Sequence, residues 1–201
     1  MSRQKRLPKV LSTEETDALL SQPNRRYFSP HRDYLMMRVM LKAGLRVGEV
    51  TTLRPEHVDL QTGKINVIEG KGAKDRVVWL SGDVLSELRE WVTRCANAVQ
   101  DEHVQDCGPS SDSYLFPTQK GTPVATSHVR RSVKRYARKA GIEGVGRVSP
   151  HTLRHTFATR LYKQTGDIRM VQKALGHTDV STTMIYTHIV DEDLSSAMRS
   201  L

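Results

Sequence analysis

Hydrophobic residues recur with helical spacing along most of the chain. In the last third, Ile168, Val171 and Leu175 are three and four positions apart, which predicts a helix over 167–175. Gly176 follows the last of them and is expected to end that helix, because glycine tolerates the left-handed conformation found there. The same reasoning predicts helices over 12–21, 31–43, 46–53, 83–104, 126–140, 150–163 and about 180–188, and an amphipathic terminal segment over 191–200.

Two short stretches alternate polar and apolar residues instead. Residues 64–68 and 76–80 are typical of half-buried strands, and the Gly-rich turn between them predicts a hairpin. That turn carries Lys71 and Lys74. A solvated loop is the simpler interpretation, and a flexible tip that delivers an ammonium group into a groove is the functional one. The predicted fold class is α+β, mainly α-helical, with one small antiparallel sheet.

Composition limits the class of protein. The chain has 201 residues, 37% of them hydrophobic, which is enough for one good core or two small ones. No apolar run is long enough to cross a bilayer, and the basic N-terminus lacks the apolar region of a signal peptide. Cys95 and Cys107 make no metal-ligand spacing and are expected to be free thiols in a reducing compartment. We therefore expect a cytoplasmic protein with no membrane association.

Positive charge is concentrated in one segment. Residues 126–163 contain ten Lys or Arg against one acidic residue, so this segment carries as much net charge as the whole chain, which is +9. A solvated helix face is possible, but a localised field favours a polyanion partner. Aromatic residues make up only 5% of the chain, which argues against base stacking and favours duplex DNA over a single strand. The residues predicted to contact DNA are Lys74, Arg76, Arg130, Arg131, Lys134, Arg135 and Arg138.

A metal site and a Ser or Cys nucleophile both find little support in the residues. His151 and His155 are four apart on one predicted helix, as zinc ligands often are, but Arg154 lies between them and no Cys or carboxylate has matching spacing. We therefore predict no metal site, and expect His155 to be a packed or hydrogen-bonded core residue. There is no Gly-x-Ser-x-Gly motif, and neither cysteine has neighbours that would clearly lower its pKa.

A tyrosine nucleophile acting on a phosphodiester remains. A phenol has a pKa near 10, so it needs a base, and the phosphate oxygens need neutralising as attack proceeds. The planar forks of two arginines match phosphate geometry. Each candidate has a plain alternative: Arg46 as a surface ion pair with Glu49 three residues on, His151 as a helix cap, His177 as a turn residue and Tyr186 as core filler. Only the set together favours catalysis.

Five blocks of the sequence follow one another in the order found in tyrosine recombinases, and they resemble most closely the Xer and phage or integron integrase branch. The resemblance runs from Leu7 to about Ser200, and the ordered set is specific although each block is weak. The blocks are Gly44-Leu-Arg46-Val-Gly-Glu49, Gly70-Lys71-Gly-Ala-Lys74-Asp-Arg76, Ser149-Pro-His151-Thr-Leu-Arg154-His-Thr-Phe-Ala-Thr159, Leu175-Gly-His177 and Thr182-Thr-Met-Ile-Tyr186-Thr-His188.

The resemblance implies site-specific DNA cleavage and rejoining through a 3′-phosphotyrosyl intermediate, without a cofactor. It also implies roles for the matching residues. Tyr186 is expected to attack, Arg46 and Arg154 to bind the non-bridging oxygens with His177, His151 to accept the tyrosine proton, Lys71 (or Lys74) to protonate the leaving 5′-oxygen, and Glu49 to support Arg46.

The front of the chain departs from the family pattern. Relatives usually carry a helical DNA-binding domain there, whereas this sequence has a basic arm or linker at 1–11 before the catalytic domain expected over 12–201. The resemblance also implies a DNA-bound tetramer, with residues 191–201 packing on a neighbour or back on their own body, and a nucleoid-associated protein of bacterial, archaeal, phage or mobile-element origin. The alternatives are a type IB topoisomerase-like enzyme and a non-catalytic DNA-binding regulator with the same fold.

Overall fold

The computed structural model describes residues 7–68, 75–100 and 113–199. Within these ranges the chain is mainly helical with a two-stranded antiparallel sheet, as the sequence predicts. The elements are α1 (Thr13–Leu20), α2 (Phe28–Ala43), α3 (Val47–Thr51), β1 (Lys64–Val67), β2 (Arg76–Trp79), α4 (Gly82–Gln100), α5 (Thr126–Lys139), α6 (Pro150–Thr165), α7 (Ile168–Leu175) and α8 (Ile185–Arg199), with short 3-10 turns at Pro55–His57, Val145–Arg147 and Val180–Thr182.

Helix α2 forms the centre of the main core. Leu35, Met36, Val39 and Met40 are all fully buried, because α2 contacts α3, α4, α5 and α6. Met37, on the same helix, is 1% exposed, so the buried residues are not confined to one face. Burial on several faces explains why this helix has only a weak amphipathic pattern.

Gly44 sets the distance between the end of α2 and α6. It has φ of 65° and ends α2 with its N–H bonded to the Met40 carbonyl. A Cβ at this position would overlap the Phe157 ring of α6. Glycine is therefore needed here both for its backbone conformation and for the close approach of the two helices.

The hairpin lies beside α7. Lys64 pairs with Trp79 and Val67 pairs with Arg76 in an antiparallel register. The Arg76 Nε donates a hydrogen bond of 3.0 Å to the Ala174 carbonyl of α7, which connects β2 to the C-terminal helices. Lys71 and Lys74, which the sequence places in the turn of the hairpin, lie outside the described residues.

The C-terminal helices form a second, smaller core. Ala158, Val171, Leu175, Tyr186 and Ile189 pack together there between α6, α7 and α8. The division predicted near the end of the chain, with one helix ending near 188 and a separate segment beginning at 191, is wrong. Helix α8 runs without a break from Ile185 to Arg199, since the intervening residues include no glycine or proline to interrupt it.

The beginning of the described chain also packs on this body. Leu11 is 2% exposed and its N–H donates a 3.0 Å hydrogen bond to Thr156 of α6. Ser12 and Glu15 form the predicted capping box at the start of α1. Cys95 is buried and forms no disulfide, and Cys107 lies outside the described residues. Within the described ranges, no helix combines the length and the apolar character that a membrane span requires.

Candidate active site

Arg154 joins three helices at the centre of the site. Its side chain lies on α6 and is almost fully buried, and its two terminal nitrogens donate 2.6 Å hydrogen bonds to the carbonyls of Gly44 and Leu175. These carbonyls lie at the C-terminal ends of α2 and α7, where partial negative charge stabilises a cation. Burial, together with the nearby Arg46, lowers the pKa of Arg154 to about 10, so the guanidinium remains charged at neutral pH.

Glu49 is the counter-ion of a cluster of arginines. Its carboxylate accepts hydrogen bonds from the Arg46 Nη1 at 2.8 Å and from the Arg76 Nη1 and Nη2 at 2.9 and 2.7 Å, and it lies 3.9 Å from the Arg154 Nη1. Burial alone would raise the pKa of Glu49, but its bonds to Arg76 and the Arg46 N–H lower it overall. The carboxylate is thus held ionised, and both arginines of the predicted phosphate site lie within 4 Å of it.

Arg46 has the more accessible of the two guanidinium groups. It is the N-cap residue of α3, and the Glu49 carboxylate accepts its backbone N–H at 2.6 Å as well as its side chain. This is the contact that the three-residue spacing predicts. The side chain is 37% exposed, against 6% for Arg154. The pair therefore offers one solvent-facing and one buried cation around a single carboxylate.

Arg76 does not lie on an exposed surface, although the sequence places it among the residues predicted to contact DNA. Its side chain is 5% exposed and is held by Glu49 and the Ala174 carbonyl. A side chain that points inward from a strand is instead used here to neutralise a buried carboxylate.

His177 follows Gly176, which ends α7 in the left-handed conformation. Its Nδ1 lies 3.0 Å from the Thr183 hydroxyl. Burial and the charges of Arg154 and Arg46 lower the pKa of His177 to about 4, so the imidazole is neutral at pH 7. When the Thr183 hydroxyl donates to Nδ1, the ring proton is on Nε2, which can then donate to an anion.

Tyr186 lies in the first turn of α8 with its ring in the second core. It is 1% exposed, and its hydroxyl lies 3.0 Å from the Nδ1 of His155. Burial raises the pKa of Tyr186 to about 12, against the opposing charge of Arg154. Burial, with the charges of His151 and Arg154, lowers the pKa of His155 to about 4. The two groups therefore meet as a neutral phenol and a neutral imidazole.

Neither the sequence pattern nor the family resemblance assigns His155 to the phenol as its hydrogen-bonding partner. The sequence predicts that His155 is a packed or hydrogen-bonded core residue, and the resemblance implies that His151 accepts the tyrosine proton. In the structure, His155 contacts the Tyr186 hydroxyl and His151 is exposed in the first turn of α6. The signal available in the sequence was the four-residue spacing of the two histidines, which places both on one side of α6.

The basic helix α5 presents its cations to solvent. The five residues predicted from this helix to contact DNA are all exposed, while Val129, Val133 and Ala137 on the opposite side are buried. Arg135 also stacks over the Tyr136 ring at 4.8 Å. The exposed residues are Arg130, Arg131, Lys134, Arg135 and Arg138. Among the residues that the structure describes, no three His, Cys, Asp or Glu side chains are grouped so as to hold a metal ion.

Comparison with known proteins decides the family. The profile of the phage integrase family matches residues 9–193, which include every site residue discussed above. The chain belongs to the phage integrase family. It is 39% identical over 189 residues to the tyrosine recombinase XerD of Ralstonia nicotianae, a match that covers 94% of this chain and 58% of that protein. It is also 39% identical over 193 residues to XerA of Thermococcus kodakarensis, covering 95% of this chain and 62% of XerA.

Solved structures of two recombinases share the fold. The crystal structure of XerA recombinase superposes with a TM-score of 0.79 at 35% identity, over 97% of this chain and 65% of that one. The XerH recombinase in a post-cleavage complex with its palindromic difH substrate gives 0.76 at 30% identity, over 98% and 55%. The chain thus spans less than two thirds of the length of these relatives.

Proposed function

We propose that this chain is the catalytic part of a site-specific DNA recombinase that cleaves and rejoins duplex DNA through Tyr186. The observation that carries the proposal is the arrangement of Arg46 and Arg154 around Glu49. Tyr186 lies close enough to Arg154 for the positive charge of the arginine to oppose the increase that burial causes in the pKa of the phenol. An anion bound by these two arginines would contact the buried guanidinium group of Arg154 on one side and the solvent-facing guanidinium group of Arg46 on the other.

The proposed reaction takes its strand polarity and the roles of its residues from the family resemblance. The Tyr186 oxygen forms a bond to phosphorus while the bond from phosphorus to the 5′-oxygen breaks, leaving a 3′-phosphotyrosyl link and a free 5′-hydroxyl. Arg46, Arg154 and the Nε2 of His177 stabilise the charge that develops on the non-bridging oxygens. His151 accepts the phenolic proton, and Lys71 supplies a proton to the leaving oxygen. Rejoining is the reverse reaction, because the tyrosyl phosphodiester conserves the energy of the broken bond.

Duplex DNA is the proposed partner. The cations of α5 form a field suited to a row of phosphates, and their exposure to solvent allows a DNA backbone to approach them. The similarity to XerH, which was solved with its difH substrate, supports the same class of partner for this chain. Lys74, in the hairpin turn, is proposed to add a further phosphate contact.

Self-association on DNA is proposed to use residues 191–201. A groove of about 810 Å³ lies between β2, α6 and α7, with Trp79 (63% exposed) and Met170 (47%) on its apolar wall. Three exposed cations, Lys42, Arg169 and Lys173, outnumber the one acidic residue that lines it, Asp167. The tail begins with three acidic residues and continues with Leu194, Ala197 and Met198, so its sequence complements the groove of a second copy in both charge and hydrophobicity.

A nicked suicide duplex tests the function. The strand end beyond the nick diffuses away after cleavage, so the covalent complex accumulates and can be counted on a denaturing gel. Tyr186→Phe is expected to abolish this complex while duplex affinity stays within about twofold. Tyr162→Phe, which removes the hydroxyl of a half-buried tyrosine on α6, is the matched control and should keep the complex. A covalent complex formed by Tyr186→Phe would remove Tyr186 from the mechanism.

A further inference from the structure

The proposed nucleophile is buried in this structure. With 1% of its surface exposed, Tyr186 has no room beside it for a duplex phosphate, and attack requires its oxygen to reach one. The ring packs with Val171, Leu175 and Ile189, contacts that a phenylalanine could make equally well. The hydroxyl is different, since a polar group taken out of water needs a partner. That partner is His155, at 3.0 Å.

We propose that His155 is a positioning residue that holds the Tyr186 hydroxyl in this buried place when no DNA is bound. The inference rests on the proposed function, because it concerns the nucleophile of that reaction. His155 follows Arg154 directly on α6, whereas Tyr186 belongs to α8. The hydrogen bond therefore links the helix that carries the phosphate-binding arginine to the helix that carries the nucleophile, and a shift of α8 relative to α6 breaks it.

The surroundings of His155 suit a neutral hydrogen-bond partner rather than a base. His151 lies one turn earlier on the same helix, Arg154 is adjacent, and the His177 imidazole is close enough for His155 to affect its titration. Burial, with His151 and the charge of Arg154, opposes a positive charge on the His155 ring and lowers its pKa. A phenol whose pKa is about 12 is likewise stable only in its protonated form. The pair thus keeps the nucleophile protonated and out of contact with solvent.

Nitration of tyrosines by tetranitromethane in the DNA-free protein tests the proposal. His155→Leu places an apolar side chain of similar size there and removes the hydrogen-bonding ring nitrogen, and His155→Asn restores a hydrogen-bonding atom near the place of Nδ1. Tyr27, which is 66% exposed, and Tyr136, which is 3% exposed, serve as fast and slow references in the same sample. Peptide mass spectrometry gives the rate at each tyrosine, and continued protection of Tyr136 shows that a variant is folded.

In the wild-type protein, Tyr186 should be nitrated about as slowly as Tyr136. His155→Leu should raise its rate about tenfold, the equivalent of ~1.4 kcal/mol, and His155→Asn should stay within about twofold of wild type. Equal rates in wild type and His155→Leu would overturn the proposal, as would equally fast nitration in both variants, which would indicate a role in packing alone.

A measurement on the wild-type protein makes the test independent of the variants. A slowly exchanging Tyr186 hydroxyl proton with a nuclear Overhauser effect to the His155 ring is expected, and its absence in the folded, DNA-free protein contradicts the proposal. Failure here is separate from failure of the proposed function. Covalent capture by the wild-type protein and its loss in Tyr186→Phe would leave the function standing even if His155 makes no difference to nitration.

Discussion

Replacing Glu49 with glutamine removes a carboxylate that lies within 4 Å of Arg46, Arg76 and Arg154. The Glu49 side chain is 10% exposed, and those of Arg76 and Arg154 are 5% and 6% exposed. Removing one partner of such a buried ion pair typically costs ~3–5 kcal/mol. Because glutamine keeps the shape and one carbonyl acceptor, we expect Glu49→Gln to lower the free energy of unfolding by about 2–4 kcal/mol.

The pH dependence of this destabilisation identifies its cause. The pKa of Glu49 in the folded protein lies below its ordinary value of 4.5. Its ionised form therefore stabilises the fold fully above pH 4.5, and that contribution disappears as the pH falls through the lower, folded-state pKa. The difference in stability between wild type and Glu49→Gln should accordingly be largest at neutral pH and should shrink as the pH falls below 4.5 and through the folded-state pKa of Glu49.

Urea denaturation followed by circular dichroism at several pH values measures both quantities. Glu56→Gln is the matched control, because the Glu56 side chain is 50% exposed and its charge lies 4.0 Å from the His57 imidazole. Removal of such a surface charge is expected to change stability by no more than about 0.5 kcal/mol. A Glu49→Gln protein as stable as the control at neutral pH, or a difference that does not shrink in acid, would refute the role of Glu49 as the counter-ion of the cluster.

Further predictions concern the leaving group and the DNA surface. Lys71→Ala should slow cleavage of ordinary DNA and be rescued by a 5′-bridging phosphorothiolate, whose sulfur leaves without an acid; no rescue would transfer the role to Lys74 or elsewhere. Arg131→Ala should weaken DNA binding and reduce the slope of log affinity against log salt by about 0.9 for each phosphate that the arginine neutralises, and an unchanged slope would show that Arg131 binds no phosphate. Arg76→Ala should destabilise the fold. If this variant, at a temperature where it is folded, shows a smaller slope of log DNA affinity against log salt than wild type, Arg76 contacts a phosphate after all.

Local features of the fold were predictable from local sequence. The capping box at Ser12, the glycines that end α2 and α7, and the alternation in the hairpin each depend on residues within a few positions. The contact between Arg46 and Glu49 belongs to the same class, because three residues separate them on one helical turn. Periodicity and caps therefore placed most elements, with errors mainly at their ends.

Long-range pairs were not predictable in this way. Arg76 and Glu49 are 27 positions apart, and His155 and Tyr186 are 31 positions apart, so no periodicity connects them. The resemblance brought the proposed catalytic residues together but gave no reason for Arg76 to be buried or for the Tyr186 hydroxyl to contact His155. Both follow from packing: β2 lies against α7, and α8 lies against α6, which forces each polar group to find a buried partner.

The central claim, that one phenolic oxygen becomes bonded to DNA, is tested most directly by identifying the linked residue. A pool of nicked duplexes of random sequence is incubated with the wild-type protein, the covalent complexes are digested, and the peptide that carries the nucleotide is sequenced by mass spectrometry. We predict a 3′-phosphate joined to Tyr186, on a limited set of DNA sequences. A nucleotide joined to any other residue, or the absence of covalent complexes across the whole pool, would contradict the claim.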